Sequence, residues 1–176
     1  NRCLSPSVNQ SISQSWSWTG IVIIVDHIFT STPESLTITL VQGPAAPDAA
    51  LVEFIHDFAE QKNQYEKRTI HYEFDSSLNG VDATVQKLLL DRSIQLRARF
   101  DGTAAVHNAQ NAAPDYASAL ATIQSIHAAA AEAGRPKGEY SVFAEVHVGV
   151  EATQHVDSIV HGLVGAGICD FRITPI

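Results

Sequence analysis

Methionine is absent from all 176 residues, and only two cysteines are present, Cys3 and Cys169. With so few thiols there is no CxxC pair and no Cys/His spacing of the kind that holds zinc, so a small metal-stapled fold is excluded. Two distant cysteines allow either one disulfide, tying the N-terminal arm to the last strand, or two separate thiols. A chain of this length that carries no methionine and begins at Asn1 reads as a processed or truncated product, with a leader or anchor already removed. Long apolar runs are missing too. The longest near the start, "GIVIIV" from Gly20 to Val25, falls far short of the roughly 20 residues of a membrane span. Basic residues are few, 11 against 19 acidic ones. The net charge of −8 sets the chain against nucleic acid or an anionic membrane as its main partner. The short basic run Arg92–Arg99, "RSIQLRAR", alternates and reads as a strand with one wet face, not as a phosphate patch.

Catalytic signatures are equally scarce. There is no GxSxG and no cysteine in a Gly-rich elbow, and HExxH is missing. "GLVGAG", Gly162 to Gly167, ends a helix instead of starting one, so its N–H groups do not face an anion, and it reads as a helix end packed tightly on a sheet. Cys169, in a strand after "GAGI", reads as a small buried hydrophobe.

What is present is a steady alternation of periods. About 45% of the residues are apolar, enough for a real core. "GIVIIVDHIF" reads as a strand, as do "LTITLVQ" (36–42), "RTIHYEFD" (68–75), "SIQLRARF" (93–100), "EYSVFAEVHVG" (139–149) and "ICDFRITPI" (168–176). Between them lie helical patterns. One follows "AAPD" at Ala45, with Leu51, Phe54, Ile55 and Phe58 on one face. Another follows the second "AAPD" at Ala112 and stops at Gly134, and shorter ones start near Val81 and Glu151. In both "AAPD" segments the proline presets the first turn and the aspartate meets the positive end of the helix. Residues 103–111 read as a loop.

The order of elements in 35–100 recurs in 93–176. The expected architecture is therefore an α/β sandwich: one mixed sheet with helices packed on one face, internally duplicated. It would have an N-terminal arm and strand (1–34) and two units sharing the strand 93–100, all in one compact domain.

Candidate chemistry rests on few residues. Glu145 and His147 point the same way from one strand. With His161 on the following helix they form an imaginable acid–base or metal cluster, although solvated histidines explain the same residues. Asp75 and Asp82 flank a turn, and one of them suits a helix cap. Lys67-Arg68 is the one dibasic pair, a processing site in a secreted precursor or a plain solvated loop.

The stretch "YSVFAEVHVGVEATQHVDSIVHGLVGAGICDFRITP" resembles the periplasmic domain of the ExbD/TolR family, through Val156, Ile159, Val160, Leu163, Ala166, Gly167 and Ile168. "TIHYEFDSSLNGVDATVQKLL" is similar, with Asp75 where that family often has Asp and His147 at the matching place in the second copy. The family's membrane helix with its functional Asp is absent. The resemblance implies a secreted or periplasmic domain that binds a protein or cell-envelope component, or self-associates, by its sheet edges. On this reading the chain works by binding rather than catalysis, with no cofactor and no metal. Its candidate binding residues are Asp75, Glu145, His147 and His161. Two other readings stay open: a secreted α/β toxin of the fungal killer type cut at Lys67-Arg68, and a hydrolase or metal-dependent enzyme using the Glu145–His147–His161 cluster.

Overall fold

The computed structural model describes residues 28–30, 34–42, 45–110, 115–135, 142–149 and 154–175. Five strands form one sheet: β1 (Ser35–Val41), β2 (Thr69–Ser76), β3 (Gln95–Arg99), β4 (Phe143–Val148) and β5 (Asp170–Pro175). Their spatial order is their chain order, and all four neighbouring pairs are parallel. The α/β class is as the alternation implies, but the sheet is parallel throughout its described strands instead of mixed. The reason is connectivity: every pair is joined through a helix, which returns the chain to the same end, whereas an antiparallel pair would need a hairpin.

The connecting helices are α1 (Ala49–Glu66), α2 (Ala83–Asp91), the pair α3 (Ala104–Gln110) and α4 (Tyr116–Glu132), and α5 (Val156–Gly165). Right-handed crossovers in an order that never reverses place every helix on the same side. Burial agrees. Leu36, Ile38 and Leu40 of β1, Tyr72 and Phe74 of β2, Leu96 and Ala98 of β3, and Ala144, Val146 and Val148 of β4 are buried on the helix side. They join one core with Val52 and Ile55 of α1, Val85 and Leu89 of α2, Ile123 and Ile126 of α4, and Ile159 and Leu163 of α5.

Helix starts follow the aspartates. Asp48 accepts from the N–H groups of Ala50 and Leu51, Asp82 from those of Thr84 and Val85, and Asp115 from that of Ser118. Each satisfies donors that a helix start leaves unpaired. Two local expectations change. The segment read as a loop at 103–111 contains α3, whose short alanine-rich sequence favours helix. Residues 28–30, read as the end of a strand, are helical, while 20–27 lie outside the described residues.

The segments 35–100 and 93–176 each supply three strands and meet at β3, the centre of the sheet. A run of βα units gives neighbouring segments this common order whether or not they are duplicates.

Candidate functional site

The strand residues that alternate with the core set face away from the helices. Most are polar, and those at the middle of the sheet are half-buried where an ordinary outer face would be fully wet. The face carries Thr39, Glu73, Asp75, Arg97, Arg99, Glu145 and His147, with Arg172 and Thr174 at the β5 edge. A hydrogen-bonded ladder crosses three strands at its middle and extends to β1. Thr39 Oγ1 donates to Glu73 Oε2 at 3.0 Å, Arg97 donates to the same oxygen at 2.9 Å, and Arg97 reaches Glu145 Oε2 at 3.4 Å. The Arg97 guanidinium also stands 5.4 Å from the centre of the Phe143 ring. Burial works against its charge, but the hydrogen bond it donates to Glu73 and the surrounding carboxylates outweigh burial and hold its pKa above the ordinary value.

Asp75 pairs in register with Arg97 near the C-terminal end of β2. Burial pushes its carboxyl above the usual carboxylate range. Arg97 opposes that shift, Glu145 and Glu73 add to it, and His147 weakly opposes it. A raised carboxyl within a cluster of charges at strand ends is a candidate proton-transfer or cation-binding group.

The rim above these strand ends is tightly tied. Asp101, two residues after the end of β3, is fully buried. Its Oδ1 accepts from the His147 backbone N–H at 3.2 Å, and its Oδ2 lies 3.3 Å from Nδ1 of His107, itself 1% exposed. This pair fixes β4 against the turn after β3. Gly102 follows with φ +75°, and a Cβ there would meet the Ile159 carbonyl oxygen at 2.4 Å. Gln42, after β1, donates to the carbonyls of Ala45 and Asn79 and pairs with Ser76 Oγ, linking the first two rim loops.

At the opposite, N-terminal end of the strands is an open cavity of about 570 Å³ lined by His56, Glu60, His71, Tyr72, Arg92 and neighbours. Several of its polar groups already pair within the protein: Tyr72 Oη donates to Glu60 Oε1 at 2.8 Å, and His56 Nδ1 lies 3.0 Å from Asp57 Oδ1. Glu73 of the ladder also lines this cavity, whereas Asp75, Asp101 and His147 lie towards the C-terminal ends of the strands, where parallel sheets hold their ligands. Among the described residues no group of three or more His, Cys, Asp or Glu is placed to hold a metal ion. Among the same residues, no helix is long and apolar enough to cross a membrane.

Of the residues singled out from sequence, Asp75, Glu145 and His147 share this polar face. His161 does not join them: it lies exposed on α5, in the helix layer, with Nδ1 2.7 Å from the Asp157 carbonyl oxygen, and the sheet stands between. Asp82 caps α2. Lys67 takes a left-handed backbone (φ 54°) as the cap of α1, and Arg68 is fastened to Asn63, Glu66 and the Phe29 carbonyl. Cys169 is exposed and unpaired, contrary to its reading as a buried hydrophobe, because it precedes β5 instead of lying within it. Cys3 lies outside the described residues. Glu73, Arg97, Arg99, Asp101 and His107 were not singled out. Alternation along Arg92–Arg99 puts Arg97 and Arg99 on one face, but nothing local to the strand distinguishes that face from a plainly solvated one.

Comparison with family models and with curated proteins gave no match. Solved structures do match. Native anSMEcpe with bound AdoMet and Kp18Cys peptide aligns with TM-score 0.69 and 13% identity, over 90% of this chain and 42% of that one. Native anSMEcpe with bound AdoMet aligns with TM-score 0.68, and the form with AdoMet and Cp18Cys peptide with 0.69, at the same identity. The fold is similar to that of anSMEcpe. The chain spans about two-fifths of the length of these structures.

This finding overturns the ExbD/TolR resemblance, which rested on a strand–helix–strand apolar pattern and a glycine that any βαβ unit carries. The transport-linked binding module drawn from that family fails with it. The fungal-type toxin and the leaning towards a protein without catalysis are corrected by the same finding, since the solved structures that share this architecture are anSMEcpe with bound AdoMet.

Proposed function

We propose that this chain forms the ligand-binding face of an enzyme that uses AdoMet, held across the C-terminal ends of the strands on the side away from the helices. The observation that carries this reading is the half-buried ladder of acids and arginines on the open face of an all-parallel, in-order sheet, with the raised carboxyl of Asp75 at its strand ends. Ligands of parallel α/β folds sit at that end because the strand–helix loops converge there. The likeness to AdoMet-bound structures supports the choice of ligand.

The residues fit such a group. AdoMet carries a sulfonium, an ammonium and a carboxylate, and supplies activated carbon–sulfur bonds when bound. Asp75 and Glu145 offer negative charge for its cationic centres. The Nε atoms of Arg97 and Arg99 are buried donors without an acceptor, as in a site that awaits an anionic oxygen. His147, with its backbone pinned by Asp101, stands at the rim where it can hold or move a proton. The helix layer keeps water from the other side of the sheet.

Calorimetric titration of the purified chain with AdoMet tests this. The expected result is one saturable site. Its affinity should rise with pH through the pKa of Asp75, since only the ionised carboxylate attracts the cation. Absence of saturable heat at millimolar AdoMet overturns the reading.

A further inference from the structure

We infer that Arg99 is the anion anchor of this face, the side chain that takes the carboxylate or phosphate of a bound ligand. The inference deepens the ligand-face reading and rests on it for the place of the ligand, but not for the ligand's identity.

Arg99 differs from the other half-buried arginine of the face, Arg97, whose Nε is also without an acceptor but whose Nη atoms are held, in having no partner at all among the described residues. Arg97 is shared by Glu73 and Glu145, Arg92 by Glu53 and Asp57, and Arg68 is bonded to Glu66 and the Phe29 carbonyl. Arg135 reaches Ser93 and the Leu90 carbonyl. Among the described residues Arg99 has no hydrogen bond and no ion pair. Yet it is half-buried, and its Nε atom is out of reach of solvent. Its register neighbour on β4 is Glu145, the obvious partner, but the Glu145 carboxylate is turned to Arg97. Arg172 is the contrasting case: it is exposed at the β5 edge, open to solvent.

A buried N–H without an acceptor costs stability, so such groups in folded proteins are met by water, an ion or a ligand. The orphaned atom defines the chemistry. Nε and the adjacent Nη form the side-on fork of a guanidinium, whose two parallel N–H bonds match the two oxygens of a carboxylate or phosphate. The platform is stiff, as a recognition site needs. Arg99 is the last residue of β3, followed by fully buried Phe100 and Asp101, with Phe100 stacked on Tyr116 at 5.2 Å. The basic run "RSIQLRAR" thus puts one arginine into the structure of the face, Arg97, and leaves one for a ligand, Arg99.

The test follows the Arg Nε–H resonances of the ¹⁵N-labelled full chain by NMR. The Arg99 signal is identified by its loss in Arg99→Lys. Inorganic phosphate, acetate and AdoMet are titrated in separate arms, with Arg172→Gln as the control variant. The expected result is a saturable shift of the Arg99 signal with phosphate or a carboxylate. The stronger arm names the source, and affinity for it should fall roughly tenfold to hundredfold in Arg99→Gln and be unchanged in Arg172→Gln. An Arg99 signal unmoved in all three arms overturns the anchor, as does an anion affinity equal in Arg99→Gln and wild type. The two readings separate cleanly. AdoMet bound with Arg99 unmoved removes the anchor and keeps the ligand face. Phosphate moving Arg99 with no AdoMet binding keeps the anchor and removes AdoMet.

Discussion

Asp75 shows how one residue can serve a site at the expense of the fold. Its pKa is raised first by burial, so the folded state prefers its neutral form. A raised pKa means that the carboxyl favours folding at low pH and loses that contribution as pH rises through the folded value. Asp75→Asn, which keeps the shape and removes the charge, should therefore raise the unfolding midpoint at neutral pH. The advantage should vanish once the wild-type carboxyl is protonated in both states, below its ordinary value of 3.8. The same variant should weaken AdoMet binding in calorimetry. Stability that falls at pH 7 would sink the assignment. This residue was legible in the sequence, because alternation alone places it opposite Phe74. Its altered acidity was not, since that needs burial under the tertiary fold and Arg97 and Glu145 brought beside it from two other strands.

At the scale of the element, the helix starts are the most legible feature. Asp48 and Asp82 each cap a helix through two backbone N–H groups. Asp48→Ala and Asp82→Ala should each lower stability by about 1 kcal/mol. The double variant should lower it by the sum, since the caps begin different helices. Urea midpoints measure both. Asp115 adds a pH signature. The Ser118 backbone N–H, then its hydroxyl, hold its carboxyl below the usual range, so its contribution is present above the ordinary pKa and is lost as pH falls through the depressed one. The difference between wild type and Asp115→Ala should close on acidification. The twin "AAPD" segments lead into α1 and α4 because an aspartate that accepts backbone N–H groups is useful wherever a helix begins. That use alone does not require the two halves of the chain to be copies.

Across the whole molecule, two glycines set how closely the helix layer meets the rim of the site. Gly162 of α5 lies against the turn after β3, where a Cβ would fall 1.9 Å from the Gly102 carbonyl oxygen. Gly162→Ala must push α5 off the rim and should cost about 3 kcal/mol or more. Gly165, three residues on, has open space around it, and Gly165→Ala should stabilise by up to about 1 kcal/mol through helix propensity. Thermal unfolding of the pair separates close packing from propensity: equal shifts in both variants would show that the contact is not what requires Gly162. The tight helix end read from "GLVGAG" is here a contact with a specific turn, and the partner 60 positions earlier is invisible to local sequence.

Period and caps are local properties, carried by the chemistry of neighbouring residues. The sequence by itself therefore determined that strands and helices alternate, where most of them begin, and which side chains share a strand face. The direction of every strand and the order of the sheet depend on crossovers between segments distant in sequence, so only the tertiary structure decided that the sheet is parallel and in order. That decision moved the chemistry. A parallel in-order sheet gathers Glu73, Asp75, Arg97, Arg99, Glu145 and His147 on one face and leaves His161 behind it. It also buries the Nε of Arg99 without giving it an acceptor, because the one carboxylate in register with it is already held by Arg97.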